Sequence, residues 1–209
     1  MTILSKILTH KIVAILRGAG PADVLEIAEA LHEGGIRCLE ITLNSPDALR
    51  VIENIAIKME GRILVGAGTV LTATEAKLAI DAGAKFIISP IVSEAVIHAT
   101  KVSGAVSIPG AYTPTEIFNA FSYGGDIIKV FPGTAGPGFI KEVRAPLPHI
   151  PLMPTGGIRL DNLQEFKKSG AVAFGLGKSL VDTTQKITNE YLQQIIANAQ
   201  IFVQAANAV

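Results

Sequence analysis

One punctuation mark recurs along this chain and limits what it can fold into. A helix-spaced segment ends in glycine, a small or apolar residue follows, and a short apolar run begins. Gly34-Gly35-Ile36, Gly83-Ala84, Gly104-Ala105, Gly124-Gly125 and Gly170-Ala171 all follow this order, roughly every 21 to 25 residues or at twice that spacing. Glycine accepts the left-handed conformation that ends a helix. A helix stop followed each time by a strand is a repeated βα unit, and helical crossovers join strands in parallel.

The apolar runs predict strands at Ile12–Leu16, Cys38–Leu43, Ile63–Gly66, Phe86–Ser89, Ala105–Ile108, Ile127–Phe131, Leu152–Pro154 and Val172–Gly175. Helical spacing between them predicts helices at Ala22–Glu33, Pro46–Met59, Ala73–Asp81, Ser93–Lys101, Pro114–Ser122, Gly138–Arg144 and Leu160–Lys168. Ser45 before Pro46, Thr113 before Pro114, and Thr72-Ala73-Thr74-Glu75 read as helix starts. Met1–His10 is expected as an extra N-terminal helix and Asp182–Val209 as a long final one. The fold class is therefore α/β, a (β/α)8 TIM barrel preceded by one helix, in a single domain over residues 1–209. A doubly wound open sheet is the alternative. No Gly-x-Gly-x-x-Gly follows the first strand, so dinucleotide binding has little support.

Composition narrows the function classes. The 209 residues carry 18 basic and 18 acidic side chains, a formal net charge of +0. Such a balance offers no electrostatic footprint for nucleic acid or an anionic membrane. The longest apolar stretches are strand-sized, so no membrane span is expected, and no leader-like apolar core follows the basic residues of Met1–Lys11. Cys38 is the only cysteine, which excludes an intrachain disulfide and a cysteine metal cluster. A reducing cytoplasm is the simplest compartment, and Cys38 reads as a small core residue.

In a parallel barrel, reactive groups collect at the C-terminal ends of the strands. Those ends supply Arg17, Glu40 with Thr42, Gly66-Ala67-Gly68-Thr69, Ser89-Pro90, Pro109-Gly110, Lys129, Pro154-Thr155-Gly156-Gly157 and Gly175-Leu176-Gly177-Lys178-Ser179. Lys129 closes the run Asp126-Ile127-Ile128-Lys129-Val130-Phe131. Burial disfavours the charged form of an amine, and a neutral lysine attacks carbonyls to form imines. The bland alternative is a lysine whose stem lies on the strand and whose ammonium reaches solvent. Glu40 lies in the otherwise apolar run Leu39-Glu40-Ile41. A buried carboxylate needs a partner, and Lys129 is the obvious one. The pair can be purely structural, or Glu40 can move protons.

Gly156-Gly157 and Gly175-Leu176-Gly177-Lys178 follow the seventh and eighth strands, where this architecture commonly holds a phosphate. Each alone is equally a tight turn. No Gly-x4-Gly-Lys-[Ser/Thr] loop is present, so a nucleoside triphosphate is not expected. His10, His32, His98 and His149 show no metal-ligand spacing.

Six motifs together resemble one family. They are Cys38-Leu39-Glu40-Ile41-Thr42-Leu43, Val65-Gly66-Ala67-Gly68-Thr69-Val70, Ile88-Ser89-Pro90, Ile108-Pro109-Gly110, Ile128-Lys129-Val130-Phe131-Pro132 and Met153-Pro154-Thr155-Gly156-Gly157-Ile158. In order and over nearly the whole chain, they resemble the class I 2-keto-3-deoxy-6-phosphogluconate aldolases, which include 4-hydroxy-2-oxoglutarate aldolase activity. The resemblance implies a homotrimeric barrel aldolase with no metal or organic cofactor, acting on a phosphorylated 2-keto-3-deoxy sugar acid and releasing pyruvate. It implies Lys129 as the Schiff-base lysine and Glu40 as the proton carrier. Thr69 would meet the pyruvyl carboxylate, Phe131 and Pro90 would wall the site, and Thr155, Gly156 and Gly157 would hold the substrate tail, the glycines binding phosphate.

Two positions depart from that pattern. Asn44 stands where some members carry a carboxylate-binding arginine, a role that would fall to Arg17. Lys178 stands where many members carry a serine in the last phosphate loop. Leu43-Asn44-Ser45-Pro46 is also similar to the 6-phosphogalactonate aldolases, which leaves the sugar epimer open. From other classes, a phosphosugar isomerase or epimerase and a non-catalytic phosphometabolite-binding barrel remain as rivals.

Overall fold

The structure, a computed structural model, describes residues 1–208. In chain order its elements are α1 (Ile3–His10), β1 (Ile12–Leu16), α2 (Asp23–Glu33), β2 (Cys38–Thr42), α3 (Ala48–Lys58), β3 (Leu64–Gly68), α4 (Ala73–Asp81), β4 (Phe86–Ile88), α5 (Glu94–Val102), β5 (Val106–Ile108), β6 (Gly110–Ala111), α6 (Pro114–Ser122), β7 (Ile128–Val130), α7 (Gly136–Arg144), β8 (Leu152–Pro154), α8 (Leu160–Lys168), β9 (Phe174–Leu176) and α9 (Asn189–Asn207). Every strand pairing is parallel. One curled sheet runs β5-β4-β3-β2-β1-β9, and a second runs β6-β7-β8. A single bridge between Thr155 and Gly175 links β8 to β9. Among the described residues no helix is long and apolar enough to cross a membrane.

The glycine punctuation acts as the sequence predicts. Gly83 and Gly124 adopt φ of 107° and 103°, a region costly for any residue with a Cβ. The next residue's N–H then reaches back to the helix, Ala84 to the carbonyl of Ala79 and Gly125 to that of Ala120. This is the hydrogen-bond pattern of a Schellman helix stop. Thr72 and Thr113 each close a capping box, with Glu75 and Glu116.

Some expectations change. The strand expected at Ala105–Ile108 forms as β5, and a further short strand, β6, follows Pro109, whose missing N–H cannot extend the ladder. Ser45-Pro46 does not begin α3. Asp47 turns left-handed (φ 50°), the helix starts at Ala48, and the Ser45 hydroxyl serves the loop instead. The final helix begins at Asn189, because the Asp182 backbone is held by Tyr191: Asp182 N–H donates to the Tyr191 hydroxyl and the Asp182 carbonyl accepts from it. The expected end of that helix at Val209 lies outside the described residues.

Strand alternation divides the core in two. Leu39, Ile41, Ile128 and Val130 face the helices and join the large outer cluster. Val13, Cys38, Phe86, Ile88, Val106, Ile108, Ile127, Met153 and Ala173 point the other way into a compact inner cluster. Ile3, Leu4, Ile7 and Leu8 of α1 cover that cluster from one end. The same alternation puts Glu40, two residues after Cys38, and Lys129, two after Ile127, one layer further along, toward the C-terminal ends of the strands.

Candidate active site

Lys129 is buried, with 3 % of its surface exposed, so it does not reach past the strand end to solvent. Its neighbours across the ladder are Gly110 and Met153. Nζ lies 4.8 Å from the centre of the Phe131 ring, two residues on along the chain. Burial pulls its pKa below the ordinary lysine value. The negative charge of Glu40 opposes that shift, and the positive charge of Arg17 adds to it.

Glu40 is 1 % exposed, at the level of Ile15 on β1 and Gly66 on β3. Burial pushes its pKa up, and the charges of Lys129 and Arg17 push it down by less. The expected direct ion pair with Lys129 is not formed. The ion pairs among the described residues do not include it, and Oε2 of Glu40 is buried with no hydrogen-bond partner in the chain. The carboxyl instead lies across Gly68. A Cβ on Gly68 would fall 1.6 Å from Glu40 Oε1, so only glycine leaves this space open. A fold that buries a carboxyl oxygen and supplies no donor leaves it for a reactant or water.

A cavity of about 500 Å³ opens at this end of the strands. It brings together six of the sequence-predicted residues: Arg17, Phe131, Thr155, Gly156, Gly157 and Lys178. Lys129 and Glu40, and Thr69 and Pro90 at the ends of β3 and β4, lie outside that lining. Thr69 is nevertheless one of few non-glycine residues with a left-handed backbone, φ 57°, a strain that accumulates at functional sites. Thr155 is tucked against Gly175, where a Cβ would come within 2.3 Å of its hydroxyl oxygen. Lys178 is not a free cation: its exposed ammonium lies 3.3 Å from Asp182. An exposed pair of this kind is weak and can yield to a stronger anion. Cys38 is a core residue, its thiol pushed up to about 12 by burial.

Sequence reasoning missed the residues that hold the loops. Ser45 Oγ accepts from Gly18 N–H at 2.8 Å and lies 2.9 Å from the Thr42 hydroxyl, while Thr183 donates to the Arg17 carbonyl at 2.6 Å. Arg17 is thus held on both sides of its peptide by the loops after β2 and β9. Asn162 of α8 accepts from Arg159 N–H and donates to the Gly157 carbonyl, pinning the glycine turn. Arg159 also lines the cavity, and its guanidinium pairs with Asp161. A basic residue directly after Gly156-Gly157-Ile158 was the available signal. Of the histidines, His149 packs edge-on against Phe121, and none lines this cavity.

A buried lysine and carboxyl toward the same end of the strands as a cavity lined by arginine, lysine and glycine amides suit carbonyl chemistry on an anionic substrate. Comparison with known proteins agrees. A family model described as KDPG and KHG aldolase matches residues 3–198. The chain is 39% identical over 171 residues to a probable 2-dehydro-3-deoxy-6-phosphogalactonate aldolase of Rhizobium meliloti, covering 81% of each chain. It is 35% identical over 181 residues to a 2-dehydro-3-deoxy-phosphogluconate aldolase of Treponema pallidum, covering 85% of each. A solved structure described as native KDPGal superposes with a TM-score of 0.87 at 32% identity, over 93% of each chain. A KDPG aldolase of Legionella pneumophila, solved with pyruvate captured as a covalent carbinolamine, superposes with a TM-score of 0.79 at 27% identity, over 100% of this chain and 98% of that one.

Proposed function

This chain belongs to the KDPG and KHG aldolase family, and from that premise we propose how its residues perform the reaction. It is a lyase, a class I aldolase that cleaves a 2-keto-3-deoxy-6-phospho sugar acid to pyruvate and glyceraldehyde 3-phosphate. Cleavage of 4-hydroxy-2-oxoglutarate to pyruvate and glyoxylate belongs to the same reading. The observation that carries the roles is Lys129, an amine buried inside the strands that feels the charge of Glu40, a buried carboxyl with an unpartnered oxygen.

The neutral amine of Lys129 attacks the C2 ketone, and loss of water gives a protonated imine. Glu40, directly or through water, carries protons in that exchange and then takes the C4 hydroxyl proton. The C3–C4 bond breaks because the imine accepts its electron pair as an enamine. The aldehyde leaves, the enamine is protonated at C3, and water releases pyruvate and restores the amine. Arg17 holds the pyruvyl carboxylate in place of an arginine at Asn44, with Thr69 beside it and Phe131 and Pro90 as walls. Thr155 meets the substrate tail. The Gly156 and Gly157 amides and Lys178 hold the phosphate.

The epimer is the second reading. The galactonate series is favoured by Leu43-Asn44-Ser45-Pro46 and by the 39% identity to the Rhizobium meliloti protein, and the gluconate series by the Treponema pallidum relative. Pyruvate release from both epimers and from 4-hydroxy-2-oxoglutarate decides between them, and release from none would overturn the assignment. In the same panel Arg17→Ala should lower kcat/KM for every 2-keto acid by about tenfold to a hundredfold, the worth of a charge-assisted contact. Lys178→Ala should do so only for phosphorylated substrates, at the lower end of that range because Asp182 already shares its charge. An equal loss with 4-hydroxy-2-oxoglutarate would place Lys178 outside phosphate binding.

We read the two sheets as one closed (β/α)8 barrel within a single domain. This is supported by β5 and β6 being one strand position interrupted at Pro109, and by the Thr155–Gly175 bridge. We also propose a homotrimer. Leu71, Leu78, Ile91, Tyr112 and Phe118 expose large apolar side chains, more than an isolated subunit favours. Light scattering should give three times the chain mass of 21.9 kDa, and a stable monomer at micromolar concentration would exclude it.

A further inference from the structure

The end of the sheet opposite the mouth carries a second constellation. Beside α1 a cavity of about 350 Å³ is lined by Lys6, His10, Arg37, Glu60, Arg62 and Lys85, with the first residues of β3 as its apolar floor. Four of these side chains are cationic and one is acidic. Arg62 has Glu29 at 4.0 Å, but Lys6, Arg37 and Lys85 have no acidic partner among the described residues. Arg37 is held in place because Nη1 donates to the carbonyls of His32 and Ile36, which leaves the rest of its guanidinium fork unused. Burial, then the charges of Arg37 and Lys6, hold the His10 imidazole below its usual range; burial, Arg37 and Arg62 do the same to His32.

Like charges gathered in one concavity repel each other, and low-dielectric walls concentrate their field. A bound anion removes the repulsion. A phosphate monoester fits best, because it brings about −1.5 to −2 charges and three acceptor oxygens to a fork and two ammonium groups. The volume lies near the small end of the usual range for ligand pockets, about 300–1,000 Å³, which suits a small metabolite rather than a nucleotide. We propose that this cavity is a second anion site, at the opposite end of the strands from the catalytic mouth, for a small phosphate-bearing metabolite. It shares no residue with the catalytic cavity, so its failure would leave the aldolase reading untouched.

The four histidine ring signals can be followed by NMR while inorganic phosphate is added near neutral pH, with ionic strength held constant by sodium chloride. His10 should shift saturably and its pKa should rise, while His98 and His149 stay still. In a Lys6→Gln/Lys85→Gln double variant the apparent Kd should weaken about tenfold, the loss of one charge-assisted contact or more, at unchanged aldol cleavage. Both lysines are exposed, so folding is not at stake, and unchanged cleavage confirms it. Glycerol 3-phosphate should bind more tightly than inorganic phosphate if a metabolite is the natural occupant. A response matched by chloride, or undiminished in the double variant, would mean an adventitious ion only. Citrate binding as tightly as glycerol 3-phosphate would overturn the phosphate assignment.

Discussion

Replacing Lys129 with alanine should lower kcat/KM for aldol cleavage by about 10⁴-fold or more, the scale on which removal of a covalent nucleophile acts. No other lysine lies among the buried polar residues, so none is placed to substitute for it. Incubation of the wild type with pyruvate and borohydride should add a reduced pyruvate mass to the peptide containing Lys129, and the variant should add none. The pH dependence has a definite sign. Only the neutral amine attacks, and burial lowers its pKa from the ordinary 10.5, so the trapping rate should rise with pH through a midpoint below 10.5. Stability carries the same signature. Between the lowered folded value and 10.5 the unfolded chain binds the extra proton, so stability should rise with pH across that window. In Lys129→Met this rise should vanish. Normal turnover without an adduct would exclude the imine mechanism.

Glu40→Gln should reduce turnover by about 10² to 10⁴-fold, the usual contribution of a general acid/base, while pyruvate still forms its adduct with Lys129. The substitution keeps the side chain's shape and therefore its fit over Gly68, where the distance to a hypothetical Cβ is only 1.6 Å. It removes the capacity to take and return a proton. Glu40 and Lys129 each feel the other's charge, so they titrate as a pair, and the apparent pKa values of the pH–rate profile belong to both. In the variant the limb due to carboxyl ionisation should disappear. Turnover near the wild-type level would remove Glu40 from proton transfer and leave it as a charge partner alone.

Much of this site is legible in the sequence, because its placement follows strand periodicity. Cys38-Leu39-Glu40-Ile41-Thr42 alternates, so Glu40 shares a face with the buried Cys38, and Ile127, just before β7, and Lys129 within it repeat the arrangement. Thr72 was legible as a cap because a capping box needs only four consecutive residues, and Thr113 because proline follows it at the first helical position. Ser45-Pro46 carried the same local signal and misled, since its hydroxyl is engaged by Gly18, 27 residues away in the chain. Thr183 and Arg17 are 166 residues apart, and no local pattern announces their contact.

The sequence by itself determined the repeating βα order, the parallel direction of the strands and the face on which Glu40 and Lys129 are buried. Each depends on interactions within a few residues, namely helix stops, caps and side-chain alternation. Tertiary structure alone decided how the pair is held. Lys129 rests over Phe131, and Glu40 lies across Gly68 without the ion pair that chemistry on paper suggests. It also set Lys178 against Asp182 and gathered Lys6, His10, Arg37 and Lys85 around one cavity at the far end. These outcomes depend on distances between side chains from strands and helices far apart in the chain, and such distances exist only after the sheet has curled and the layers have packed.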